Sequence, residues 1–282
     1  GKIFWSFCAE TLFLFCGGIF MEIIKNVREK NPLVHCITNY VTVNDVANCI
    51  LAVGGSPIMA DDSEEVEEII SIANALLINI GTLNSRTIFS MQKAAKLANK
   101  KNIPVILDPV GVGVSELRNK TLKNFLENIQ FAAIRGNLSE IIFCAGKNSS
   151  TRGVDVGDSD KNFSAKEISK NVAEKFNCIS IITGAEDFVS DGKNFAKIQN
   201  GVADMKKITG TGCMLSGILA AYLGANENKF SAAVSAVASI GIAGEISFEK
   251  YKNFGTGSLR VGIIDELSKI DDKIISDKGK IL

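Results

Sequence analysis

Short apolar runs alternating with helix-period stretches limit what this chain can become more than any other feature. Six runs have strand length: LVHCIT (33–38), SPIMA (56–60), ALLINI (75–80), PVILD (104–108), FAAIR (131–135) and CISIIT (178–183). Apolar runs this short and continuous suit strands buried on both faces. Between them, Val43, Val46, Ala47 and Ile50 share one helical face. So do Val66, Ile69, Ile70 and Ala73, and then Ile88, Met91, Ala95 and Ala98. Ser164 and Glu167 have the spacing of a capping box, opening a helix through Ile168, Val172 and Phe176. The alternation predicts an α/β fold, with a mostly parallel central sheet covered by helices on both faces. FVSDGKNFAKIQ (188–199) breaks the rhythm, and its Asp191-Gly192 predicts a turn between two short antiparallel strands. Beyond 210 the pattern is mainly helical, over 211–224 and then about 229–250.

At 282 residues with 46% hydrophobic content, the chain can build one large core. Thirty-one basic residues balance thirty-one acidic ones, so bulk charge does not hold a nucleic acid. Seven cysteines show no C-x-x-C spacing, which leaves reduced thiols of a cytoplasmic protein as the reading. His35 is the only histidine, a poor basis for a triad or a multi-histidine metal site. Residues 1–20, Phe-rich with Lys2 and Glu10 as their only charges, read as a non-native or upstream leader, with a membrane anchor as the lesser reading. From Met21 to 282 a single domain is expected, with no membrane partner.

In such sheets ligands bind beyond the carboxyl ends of the strands. The residues there are Thr38-Asn39, Met59-Ala60-Asp61, Asn79 to Thr82, Asp108-Pro109, Arg135-Gly136-Asn137 and Thr183-Gly184. Thr209-Gly210-Thr211-Gly212-Cys213 precedes an apolar helix, where turning glycines and the helix dipole make an anion site. A Gly-rich helix entry without a ligand fits the same residues. Cys213 reads as an inert packed thiol, or as a nucleophile or base with a lowered pKa at a helix start. With only His35 to partner a nucleophile, proton acceptance is the better functional reading. In Arg135-Gly-Asn-Leu-Ser-Glu140, Asn137 and Glu140 can cap the next helix. Functionally, Arg135 suits a nucleotide phosphate, and Glu140 with Asp108 suits a hydrated Mg2+. Asp108 also reads as a turn residue before Pro109, and Met59 as core. No G-x-x-x-x-G-K-[ST] occurs in the chain.

Taken in order, NPLVHCITNYVTVNDVAN, GGSPIMA, LLINIGTL, PVILDPVGVG, AIRGNLSE, ITG, ITGTGC and GTGSLRVG resemble hydroxyethylthiazole kinases of the ribokinase-like superfamily, from about Asn31 to Leu267. The resemblance implies transfer of the γ-phosphoryl of ATP, with Mg2+, to the primary hydroxyl of 4-methyl-5-(2-hydroxyethyl)thiazole in thiamin salvage. It implies that Met59 and Gly210 touch the thiazole and that Asn39 orients its hydroxyl. It assigns ATP to Arg135 and Thr183, the N-x-x-E element ending in Glu140 to Mg2+ and phosphate, and an anion hole to Gly210–Gly212. It puts Cys213 where most ribokinase-like enzymes carry an Asp base. A homotrimer with shared active sites is also implied. A pyrimidine-type kinase, or a dehydratase repairing hydrated NAD(P)H on a similar scaffold, would instead carry Asp at position 213.

Overall fold

The computed structural model describes residues 22–146 and 164–282; the expected leader at 1–20 lies outside them. The elements run α1 (Ile23–Lys30), β1 (Leu33–Ile37), α2 (Val43–Ala52), β2 (Ser56–Ile58), α3 (Val66–Ile72) and β3 (Ala75–Asn79). They continue α4 (Ser85–Lys100), β4 (Val105–Asp108), α5 (Glu116–Asn128), β5 (Ala133–Asn137) and α6 (Leu138–Cys144). Next come α7 (Ala165–Phe176), β6 (Ile179–Thr183), β7 (Asp187–Ser190) and β8 (Phe195–Ile198). The chain closes with α8 (Thr211–Ala225), α9 (Lys229–Tyr251), α10 (Thr256–Leu267) and α11 (Asp272–Lys278).

All six expected strands form, and they pair in parallel in the order β2-β1-β3-β4-β5-β6. The hairpin β7–β8 then extends the same sheet antiparallel, turning at 191–194. The strand order reverses between β1 and β3, which makes that junction the crevice where such sheets bind ligands.

Side-chain alternation divides the core in two. Leu77, Ile106, Ala133 and Ile181 face α1, α2, α8 and α9. Leu76, Ile78, Leu107, Ile134 and Ile182 face α3 to α7. Helix α8 is apolar almost all round because it is enclosed, lying across β1, β3 and β4 with α2 and α9 beside it. Helix α9 is long and apolar enough to cross a bilayer, yet most of it is buried in this core.

Three local expectations change. The run at 56–60 is a strand only to Ile58, leaving Met59 and Ala60 in the following loop. The buried stripe of α2 is Asp45, Val46, Cys49 and Ile50, with Val43 and Ala47 only half-buried, because Gly217 of α8 comes down on Val46 and Ile50. At Ser164 one arm of the capping box forms among the described residues: its hydroxyl accepts from the Glu167 N–H. Glu167 itself is exposed, so water competes for the other arm.

Candidate active site at the carboxyl edge of the sheet

Strand parity assembles the site. Asn79, Asp108, Arg135 and Thr183 each lie two residues beyond a core residue of the α8 face, namely Leu77, Ile106, Ala133 and Ile181. All four therefore project toward the start of α8 at the carboxyl edge. Register brings Asn79 directly opposite Asp108. Asn79 Nδ2 donates to Asp108 Oδ2 at 2.9 Å, and Ser216 Oγ of α8 donates to the same oxygen at 2.8 Å. Arg135 Nη1 stands 3.5 Å from both Asp108 oxygens, and its Nη2 donates to Thr183 Oγ1 at 2.6 Å. Arg135 Nε and Thr38 Oγ1 are buried with no partner among the described residues, so the edge holds spare polar atoms.

The loop entering α8 closes over this row. Gly210 takes φ +84°, a left-handed conformation that a side chain resists, and a Cβ there would run into Thr42. Two residues on, a Cβ at Gly212 would overlap both Nη atoms of Arg135, so only glycine lets the guanidinium lie against the helix start. Among the described residues no side chain caps α8, which leaves its first N–H groups facing the edge. Cys213 is buried, and its sulfur accepts from Asn39 Nδ2 at 3.3 Å and Asn79 Nδ2 at 3.2 Å. Burial pushes its thiol pKa up, the charge of Asp108 adds to this, and bonds from Thr42 and Asn79 only partly offset it. The expected lowering at a helix start is therefore overturned: desolvation outweighs the dipole.

Asn137 and Glu140 form the expected capping box at α6. Glu140 also reaches a second loop, accepting the Gly111 N–H at 2.8 Å through Oε1 while Oε2 accepts the Asn137 N–H at 2.8 Å. Its carboxyl is pushed up to about 7, by burial first and then by Asp108. Burial likewise raises Asp108, against the opposing charge of Arg135. Among the described residues no three His, Cys, Asp or Glu side chains cluster as a metal cage. Two neighbouring buried carboxylates, each disfavoured as an anion, do fit a cation held largely by water and phosphate.

Eight of the nine candidate residues thus fall on one edge through bonds or close approach. Met59 is placed there only by its loop beyond β2, half-buried against the core. Asn39 is more committed than expected. Its Oδ1 accepts from the Val41 and Thr42 N–H groups and the Thr42 hydroxyl, and both N–H donors go to Asn79 and Cys213. Three residues enter the site that had been given no individual role: Asn79, named only within the strand-end group 79–82, and Thr42 and Ser216. Parity along β3 marked Asn79. Thr42 meets the site locally, through its bonds to Asn39 three residues back, whereas Ser216 reaches Asp108 only through the packing of α8.

The sequence profile of the Hydroxyethylthiazole kinase family matches residues 24–273. A hydroxyethylthiazole kinase of Ruminiclostridium cellulolyticum is 49% identical over 261 residues, covering 92% of this chain and 96% of the relative. The solved structure of a hydroxyethylthiazole kinase protein from Pyrococcus horikoshii superposes with a TM-score of 0.84 at 37% identity, over 93% of this chain and 98% of that one. A ribokinase-like superfamily protein of Enterococcus faecalis shares the fold, with a TM-score of 0.63 at 11% identity over 87% of this chain and 88% of its own.

Proposed function

Because the chain belongs to the hydroxyethylthiazole kinase family, we infer how its ribokinase-like edge performs that family's reaction. It is a kinase that phosphorylates the hydroxyl of hydroxyethylthiazole with ATP as co-substrate. The product is the thiazole phosphate used in thiamin salvage. The residue roles that follow are our proposal. The observation that carries them is the meeting of Cys213, Asn39, Asp108 and Arg135 at the start of α8.

Phosphoryl transfer has a loose transition state, so positioning and charge stabilisation supply most of the rate. Arg135 and Thr183 bind the nucleotide, with Arg135 set against Gly212 so that its charge and the helix N-terminus converge on the transferring group. The primary hydroxyl of the thiazole meets the Cys213 sulfur, which as the thiolate takes its hydrogen bond and then its proton, returning to the neutral thiol as the hydroxyl oxygen bonds the phosphoryl group. Met59 and Gly210 contact the ring. Asn39 acts through the sulfur, because both of its N–H groups are already committed. Asp108 and Glu140 would hold Mg2+ through one or two carboxylate contacts. Bound there, the ion supplies charge neutralisation on the phosphates.

The assembly is proposed to be a homotrimer with shared sites, in the cytoplasm. Support comes from Tyr40 and Val41, which are 78% and 57% exposed immediately after Asn39. Apolar side chains beside a site are suited to a neighbouring subunit. The test of function is ADP release with and without hydroxyethylthiazole, run beside NADH recovery from its hydrate. Thiazole-dependent ADP release is expected. Hydrate repair without it would overturn the reading.

A further inference from the structure

Asn79 ends β3 at 1% exposure, and all four hydrogen-bonding positions of its amide are used. Oδ1 accepts the Gly81 N–H at 2.9 Å and Asn39 Nδ2 at 3.2 Å. Nδ2 donates to Asp108 Oδ2 at 2.9 Å and to Cys213 Sγ at 3.2 Å. The backbone bond from Gly81 fixes which way the amide points. A flip would set the NH2 group against an N–H donor and the carbonyl oxygen against a carboxylate. Asn39 is fixed in the same way by its three donors from Val41 and Thr42.

The chemical consequence falls on the sulfur. Two oriented amides donate to it, so its own proton cannot point toward either of them. When that proton leaves, both donors stabilise the negative charge left behind. Asn79 also stands between the sulfur and Asp108, giving one N–H to each. The carboxylate and the thiol are therefore kept from bonding to one another.

We propose that Asn79 is a positioning residue for phosphoryl transfer: its amide aims the Cys213 sulfur at the substrate hydroxyl and keeps Asp108 turned toward the nucleotide. The assignment rests on the reading of Cys213 as the group that meets the hydroxyl.

Asn79→Ala and Asn79→Ser are the test, read by kcat and KM for hydroxyethylthiazole, by ATP affinity, and by alkylation of Cys213. Iodoacetamide at one fixed pH is the probe, with the modified cysteine located by peptide mass spectrometry. Losing a bond to a developing anion is expected to lower kcat about ten- to a hundredfold. KM and ATP affinity are expected to move less than about threefold. Alkylation of Cys213 is expected to slow, because the thiolate loses a donor. A purely structural role would act the other way, since loosening the site exposes the sulfur and speeds alkylation. Faster alkylation, or kcat within about twofold of wild type in a folded variant, would overturn the proposal.

If neither variant folds, the side-chain amide of Asn79 in the wild-type protein decides by NMR. Its N–H signals should shift when Cys213 alone is alkylated, and unchanged signals would overturn the contact. Cys213→Ala separates the two readings. At full rate it would overturn the reading of Cys213. A slow Cys213→Ala enzyme beside an unimpaired Asn79→Ala enzyme would overturn the role of Asn79 alone.

Discussion

A thiol at the first turn of a helix ordinarily ionises more easily than a free one. At Cys213 burial first and then the charge of Asp108 act the other way, so the thiol gives up its proton less readily than a free one. If that sulfur receives the substrate proton, kcat should climb with pH into the alkaline range. Cys213→Asp should remove the climb and keep or exceed the neutral-pH rate, because a carboxylate ionises far lower. Cys213→Ala should lose roughly ten- to ten-thousand-fold in kcat. A flat pH profile with a fully active Cys213→Ala enzyme would leave the Gly210–Gly212 loop as the main device.

Glu140 gives a second residue-scale prediction. Its carboxyl sits at about 7 when folded, against an ordinary 4.5. Between those values the unfolded chain releases a proton that the folded one keeps, so stability falls as pH rises from about 4.5 to 7. Glu140→Gln should abolish that fall in urea melts, but its single oxygen can serve only one of the Gly111 and Asn137 N–H groups, and the donor left unpaired costs about 1–3 kcal/mol that offsets the gain above pH 7. It should also raise the Mg2+ needed for half-maximal rate. An unchanged Mg2+ titration would reduce Glu140 to capping.

At the scale of elements, the join between loop and α8 is the sensitive one. Gly212→Ala should force Arg135 off the helix start and weaken ATP binding by about 1.5–3 kcal/mol, the usual loss for a charge-assisted contact. Thiazole affinity should move much less, and calorimetry on each ligand would show an equal loss if the loop simply misfolds.

Beside it, β1 carries His35, fully buried, with Nε2 2.7 Å from the Ala60 carbonyl and Nδ1 without a partner among the described residues. Burial lowers its pKa, more than the Ala60 bond raises it. The folded state therefore resists protonation, and stability is lost as pH falls below the unfolded value of about 6.5, by at most about 1.4 kcal/mol per pH unit. His35→Gln should flatten the denaturation midpoint between pH 5 and 6.5 relative to wild type. Parallel curves would show that His35 does not titrate in that window.

For the whole molecule, the expectation of one kinase unit from 21 to 282 with a dispensable leader becomes a proposal about assembly. Deleting 1–20 should leave kcat unchanged, and sedimentation of the shortened protein should give a species of three chains. An active monomer would remove the trimer and, with it, the reason for Tyr40 and Val41 to be exposed at the site. Loss of activity on truncation would make the leader part of the working protein.

The alternation of apolar runs determined by itself that a parallel sheet forms, because strands buried on both faces leave no other way to cover that much apolar surface. The strand ends also placed Asp108, Arg135 and Thr183 at one edge, since parallel strands deliver their last residues to the same side of the sheet. The capping box at Asn137 and Glu140 was legible for a similar reason, as its bonds span three residues. What only the tertiary structure decided is the company these groups keep. Ser216 comes to Asp108 across 108 positions of chain, and Asn39 comes to Cys213 across 174. No local period carries such contacts; they exist because α8 is laid across β1, β3 and β4. The state of the Cys213 thiol follows from that burial, which no residue near it in sequence could have signalled.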